Sequence, residues 1–290
     1  MKRAGLIASL LIGVVLLTLA ILLPGCSGGG ASSSLKVVTT TSLISSIAEK
    51  VGGDKVEVAN IIPPAQCPGH FDVKPSDIQM LADANLFLMH GWQGEQFSQQ
   101  LVQSANNPQL KTISLNIAGN WMTPAVQAQA VGNITAILAE IDPQNASYYQ
   151  SNAESELASI TTTGNELQTR LAAGNLSQIN VICDVQLIDL VKWAGFNVIT
   201  TYPSPDAITP KLLQELIDQG KQAGVVLIIG NLQSGSSDMT TTIADGIGAA
   251  QVTLSNFPGG FNNTETWGKA IDQDVSLMLQ AAATCRGNSS

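Results

Sequence analysis

The sequence predicts an α/β protein of two parallel-sheet lobes, joined by a long linking helix and enclosing an interlobe ligand cleft. Three observations carry this. Short β-branched runs alternate with helix-period segments from about residue 36 to 115, and the same alternation returns from about 179 to 254. Strand, helix and strand in turn is the pattern of a parallel sheet, whose connections must cross over its face. Between the two runs lies a helical segment over 143–171, broken by nothing stronger than Gly164. At about 1.5 Å per residue it extends roughly 40 Å, long enough to brace two lobes.

The chain opens with Lys2 and Arg3, an apolar run over 6–23, and then Leu23-Pro24-Gly25-Cys26. A positive start, an apolar core and a small residue before a cleavage point describe a secretory signal over residues 1–25. Gly25 followed by Cys26 resembles a bacterial lipobox, which assigns a lipid anchor to the Cys26 thiol. Residues 26–35 read as a flexible Gly/Ser tether, so the remainder is expected outside the cytoplasmic membrane. All 22 acidic residues follow Cys26, whereas two of the 13 basic ones precede it, leaving 11 against 22 and a net charge of −11. That balance suits neither nucleic acid nor an anionic membrane surface, and it tolerates a cationic ligand. Three cysteines remain: Cys67, Cys183 and Cys285. Outside the reducing cytoplasm an odd number leaves at least one thiol free, liganded or shared between chains. A Cys183–Cys285 disulfide and three free thiols both remain open.

The first lobe is expected over 36–141. Residues 36–40 form a strand, and Thr41 or Ser42 caps a helix with Ile44, Ile47 and Ala48 on one face, ended by Gly52-Gly53. A second strand over 56–62 opens into a turn stiffened by Pro63, Pro64 and Pro68 and bent at Gly69. Pro75-Ser76-Asp77 starts a short helix, 85–89 is a third strand, and the loop 90–95 leads to a helix over 96–105. Residues 111–115 are a fourth strand, with Gly119-Asn120-Trp121 behind it. Helical pattern resumes at Gln127 and leads into the linking region, 142–174, with Tyr149, Leu157, Ile160, Leu167 and Leu171 on its buried side. The second lobe, 175–290, repeats the design with strands over 179–183, 197–200, 225–229 and 251–254. Its helices cover 185–194, 210–219, 237–247 and 264–284.

Parallel sheets bind their ligands beyond the C-terminal ends of their strands. Cys67, His70 and His90 leave such ends in the first lobe, and Asp184, with Cys183 behind it, leaves one in the second. A thiolate, two imidazoles and a carboxylate suffice for a four-coordinate site for zinc or a similar borderline-soft cation. Trp92, Asn120, Trp121, Cys183, Asn231, Ser255 and Asn256 are the candidate cleft-lining residues. Each residue also has a purely structural role open to it. Asp184 suits a helix cap, Cys183 a buried small hydrophobe, His90 a partner for backbone groups, and the two tryptophans lobe core.

From about Lys36 to Ala282 the chain resembles the zinc/manganese-type solute-binding proteins of bacterial ABC importers. The resemblance is carried by Val51-Gly52-Gly53-Asp54-Lys55-Val56-Glu57-Val58, Pro75-Ser76-Asp77-Ile78 and Asp142-Pro143-Gln144-Asn145-Ala146-Ser147-Tyr148-Tyr149. It implies a monomeric extracytoplasmic lipoprotein or periplasmic protein that delivers a divalent transition metal, zinc first, to an ABC permease and its ATPase. It also implies four ligand places, which this chain fills unusually. Gly69 stands at the first, with His70 beside it; Gly119 stands at the second, with Asn120 beside it. The third falls near Asp184 and the fourth near Ser255 or Asn256. The expectation is a site rebuilt from Cys67, His70, His90 and Asp184. Its rival is a lost metal site whose cleft takes a metal chelate or an organic cofactor stacked on Trp92 and Trp121. An enzyme using Cys67 with His70 or His90 is disfavoured, because no nucleophile elbow or phosphate-cradling glycine loop accompanies them. A surface adhesin is compatible with the acidic, lobed body.

Overall fold

The computed structural model describes residues 34–92, 95–235 and 237–287. The expected signal peptide and Cys26 lie outside the described residues, as does most of the tether. Among the described residues, eight strands form two parallel sheets. The first sheet contains β1 (Leu35–Thr39), β2 (Val56–Asn60), β3 (Leu86–Met89) and β4 (Lys111–Ser114), in the order β2-β1-β3-β4. The second contains β5 (Asn180–Asp184), β6 (Asn197–Tyr202), β7 (Leu227–Asn231) and β8 (Ala250–Leu254), in the order β6-β5-β7-β8. In each sheet the chain steps one way from its first strand and then returns to the other side. The crevice therefore opens between β1 and β3 in one lobe and between β5 and β7 in the other, where parallel sheets seat ligands.

Alternation along the strands sorts the core into layers. Val37 and Leu88 face inward while Val38 and Phe87 face an outer cluster with Leu81 and Leu101. Val181 and Leu227 face inward while Ile182 and Ile228 face a second outer cluster with Leu216 and Ile243. The inward faces belong to one continuous apolar cluster, which also takes in the linking helix.

The helices are α1 (Ser42–Gly52), α2 (Pro75–Ala82), α3 (Phe97–Ala105), α4 (Pro124–Ile141), α5 (Ala146–Ala173), α6 (Ile188–Ala194), α7 (Pro210–Gln222), α8 (Ser237–Ile247) and α9 (Trp267–Gly287). The linking helix α5 has 28 residues, about 42 Å of helix. It begins at Ala146, because Pro143–Asn145 forms a tighter turn of its own. Tyr149, Ala153, Ile160, Leu167 and Leu171 lie on its buried face, and Leu157 is only half-buried. Asn152 donates to the Val51 carbonyl of the first lobe at 2.9 Å, and Gln168 donates to the Trp193 carbonyl of the second at 3.0 Å. The helix is thus bound to both lobes by packing and by hydrogen bonds. The described residues, 34–287, belong to one compact unit.

Strands β5, β6 and β7 run further at their C-terminal ends than their apolar runs predict. Pairing of Asp184 with Tyr202 and of Asn231 with Leu254 carries β5 and β7 past their last aliphatic residues. Polar side chains are consequently held on rigid strand ends at the mouth of the second sheet.

Candidate functional site

A cavity of about 860 Å³ lies between the lobes at these strand ends. The first lobe contributes Cys67, Gly69, His90, Trp92, Asn120 and Trp121 to its wall. The second contributes Gln186, Asp189, Asn231, Gln233, Asn256 and Phe257. The cleft inferred from the two α/β runs is therefore present, and five of its predicted lining residues belong to it: Trp92, Asn120, Trp121, Asn231 and Asn256.

His90 sits just past β3, only 1 % exposed. Its Nε2 lies 2.7 Å from Thr41 Oγ1, at the end of the neighbouring strand β1. Its Nδ1 is buried and has no hydrogen-bond partner among the described residues. Burial holds the imidazole well below its usual pKa of 6.5, so the ring is neutral. Nδ1 is enclosed by the surrounding side chains and has essentially no surface open to the cavity. Trp92 stacks on the same ring at 3.6 Å, and Trp121 meets it edge-on at 4.4 Å.

Glu95 fixes the backbone of this loop. Its buried carboxylate accepts from the amides of His90, Gly91 and Trp92 at 3.2, 2.7 and 3.3 Å, and from the Thr40 hydroxyl. Four donors on one carboxylate offset the cost of burying its charge.

The lobes also bond directly across the cleft. Asn120 Nδ2 donates to the Gln186 carbonyl at 2.9 Å and to Asn256 Oδ1 at 2.7 Å. Gln233 Nε2 donates to the Pro64 carbonyl at 2.8 Å, and Ser42 Oγ to the Pro258 carbonyl at 2.7 Å. Trp92 faces Phe257 of the second lobe at 6.5 Å with nearly parallel rings.

The structure does not bring the four expected metal ligands together. Among the described residues, no three His, Cys, Asp or Glu side chains converge in a way that could hold a metal ion. His70 is exposed and outside the cavity, with its Nε2 2.8 Å from Asp206 of the second lobe. Asp184 is fully buried, and its Oδ1 accepts from the Gln186 amide at 2.8 Å as a cap for the following turn. Burial raises its pKa, with the Gln186 amide and the Ser234 and Asn231 side chains acting against that rise. Cys67 keeps a half-buried thiol on the cavity wall. Cys183 is not cleft-lining; it is buried in the central core, where burial lifts its thiol to about 12. Among the described residues no disulfide joins Cys67, Cys183 and Cys285, so the fold does not take the alternative of a Cys183–Cys285 bridge. Ser255 also lies behind the wall, bonded to Gln233 at 2.9 Å and, through its amide, to Asp274 at 3.0 Å. Asp274 is completely buried, which raises its pKa well above that of a free carboxyl.

Gly69 and Gly119 both line the cavity. Gly119 has φ +96°, and a Cβ there would stand 2.9 Å from the Val126 side chain. A histidine at this place would be strained. Sequence reasoning missed Gln186, Asp189, Gln233 and Phe257, as well as Asp206 and Glu95. Phe257 alone carried a signal, as the aromatic in a Pro-Gly-Gly loop.

Two parallel-sheet lobes, braced by one helix and closing on a polar and aromatic cavity, define a two-lobed solute-binding protein. The profile of the family described as zinc-uptake complex component A, periplasmic, matches residues 37–281. The chain belongs to that family. The manganese-binding lipoprotein MntA of Halalkalibacterium halodurans is 23 % identical over 219 residues, covering 70 % of this chain and 73 % of that one. The metal ABC transporter substrate-binding lipoprotein SloC of Streptococcus mutans is 28 % identical over 141 residues, 41 % of this chain and 46 % of that one. The crystal structure of ZnuA superposes with a TM-score of 0.72 at 21 % identity, over 86 % of this chain and 99 % of that chain. The manganese-bound periplasmic metal-binding protein of Candidatus Liberibacter asiaticus gives 0.73 at 18 % identity, over 86 % and 100 %.

Proposed function

We infer that this chain is the extracytoplasmic solute-binding component of an ABC importer. It takes a divalent transition metal, zinc first, into the interlobe cleft and hands it to a membrane permease driven by an ATPase. The lipobox-like sequence at Cys26 supports lipid anchoring of a monomer outside the cytoplasmic membrane, and nothing in the acidic surface suits nucleic acid. One observation carries the metal reading. The neutral His90 imidazole, held by Thr41, and the half-buried Cys67 thiol belong to the wall of one interlobe cavity. A binding role, without turnover of the cargo, is what the family membership supports.

Thiol labelling tests this reading, because Cys67 is half-buried on the cavity wall while Cys183 and Cys285 are buried. Cargo seated in the cleft slows iodoacetamide alkylation of Cys67 by about tenfold, the effect of occupying most sites at a concentration roughly ten times Kd. Unchanged labelling, with no metal retained after desalting, would sink the reading.

A further inference from the structure

We propose that Glu95, which lies behind the cavity wall, is its positioning residue in the first lobe: it sets the Trp92 ring in the cleft, and cargo affinity depends on it. The dependence of affinity rests on the metal-receptor reading above, whereas the placement of the ring does not.

The loop that leaves β3 turns sharply. Gly91 has φ +84°, and a Cβ there would stand 2.4 Å from Asn116 Oδ1, so only glycine takes this backbone without strain. The turn aims three consecutive amides, those of His90, Gly91 and Trp92, at one carboxylate. Convergent amides of this kind form a concavity for an anion, and here the chain supplies the anion itself. Glu95 Oε1 accepts from His90 and from the Thr40 hydroxyl, and Oε2 accepts from Gly91 and Trp92. Thr40 directly follows β1, and its amide donates to the Leu88 carbonyl of β3 at 3.1 Å. The carboxylate thus ties the loop to the sheet.

All three residues whose amides it gathers line the cavity, and Glu95 itself does not. Trp92 depends on it most. Its ring is 36 % exposed, so burial alone does little to hold one orientation. Yet the ring lies 6° from parallel with His90 and 11° from parallel with Phe257 of the opposite lobe. Its main chain is held by Glu95 on both sides. The Trp92 amide donates to the carboxylate at 3.3 Å, and its carbonyl accepts from the Glu95 amide at 3.0 Å.

The chemistry calls for a carboxylate, which has acceptor sites alone and four of them for four donors. Glutamine keeps the size but turns an NH₂ toward one pair of those donors. The Thr40 hydroxyl can rotate to accept from it, whereas a backbone amide cannot. Glu95→Gln therefore leaves at least one amide facing a donor, and Glu95→Ala removes the acceptor of all three.

The test uses the full mature chain labelled with 5-fluorotryptophan, which gives a fluorine resonance for each of the four tryptophans. Trp92→Phe assigns the Trp92 signal. In the cargo-free protein Glu95→Ala should shift or broaden that signal while those of Trp193 and Trp267 stay in place, a selectivity that general loosening would not produce. Calorimetric titration with zinc chloride should show about tenfold weaker binding for Glu95→Ala, less for Glu95→Gln, and little further loss when Glu95→Ala is added to Trp92→Ala, because residues acting as one unit are not additive. An unmoved Trp92 signal together with parental zinc affinity would overturn the proposal and leave the metal-receptor reading standing. An equal loss of affinity with and without the Trp92 ring would overturn action through Trp92. Should Glu95→Ala fail to fold, Glu95→Gln decides the same points at unchanged side-chain size. A parent protein that binds no zinc would overturn the metal-receptor reading and the affinity claim together, and the fluorine signal would still decide whether Glu95 places the ring.

Discussion

Replacing His90 with alanine lowers the affinity of the cleft for zinc-bearing cargo by about 100-fold, the upper end of what losing an orienting or ligating contact costs a metal site. The residue is one of two histidines in the chain, and the one on the cavity wall. His70→Ala leaves the affinity unchanged, because that ring is exposed and paired with Asp206 outside the cavity. Cys67→Ala has an intermediate effect. Competition titration against a fluorescent zinc indicator measures all three. The same residue shapes the response to acid. In the folded state burial holds the imidazole neutral, whereas in the unfolded chain it takes up a proton near pH 6.5. The unfolded state therefore binds more protons below that pH, and stability falls as pH drops through it. His90→Ala lacks this contribution, so its thermal midpoint approaches or overtakes that of the parent as pH falls from 7 to 5.

Leu167→Ala destabilises the whole molecule by about 2–5 kcal/mol, the usual cost of removing a buried leucine side chain. For a unit of this size that is a fall of roughly 5–15 °C in Tm. Leu167 is 2 % exposed and lies on the face of α5 that joins the continuous core of both sheets. Differential scanning calorimetry should show one transition before and after the change, moved as a whole. Two transitions, of which only the second-lobe one moves, would mean that the lobes fold separately and that α5 is a tether without a bracing role.

The fold was legible because its determinants are local and periodic. Val37 and Val38 take opposite faces of β1 and enter different clusters, as do Val181 and Ile182 in β5. The loops carrying His90, Trp121 and Asn256 were legible as strand ends for the same reason. Which loop residues face the cavity depends on partners far away in sequence. Cys67 and His70 are three apart, yet a short turn over Pro68–His70 separates them, and His70 leaves the cavity for Asp206, 136 residues on. Asp184 is expected just beyond its strand, but strand pairing continues through it, and alternation gives it the same sheet face as Ile182. Tight packing around Gly119 and the seam from Asn120 to Asn256 also depend on contacts made only in the fold. The buried role of Glu95 has the same origin, since its carboxylate gathers amides from a loop it closes.

The central claim is that metal cargo lodges between the lobes against His90. Anomalous scattering at the zinc edge, from crystals of the loaded protein, tests it most directly. The account places the peak inside the interlobe cavity, beside the wall that carries Cys67 and His90. A peak on the exposed His70–Asp206 pair, with the cleft beside His90 holding no metal, would contradict it.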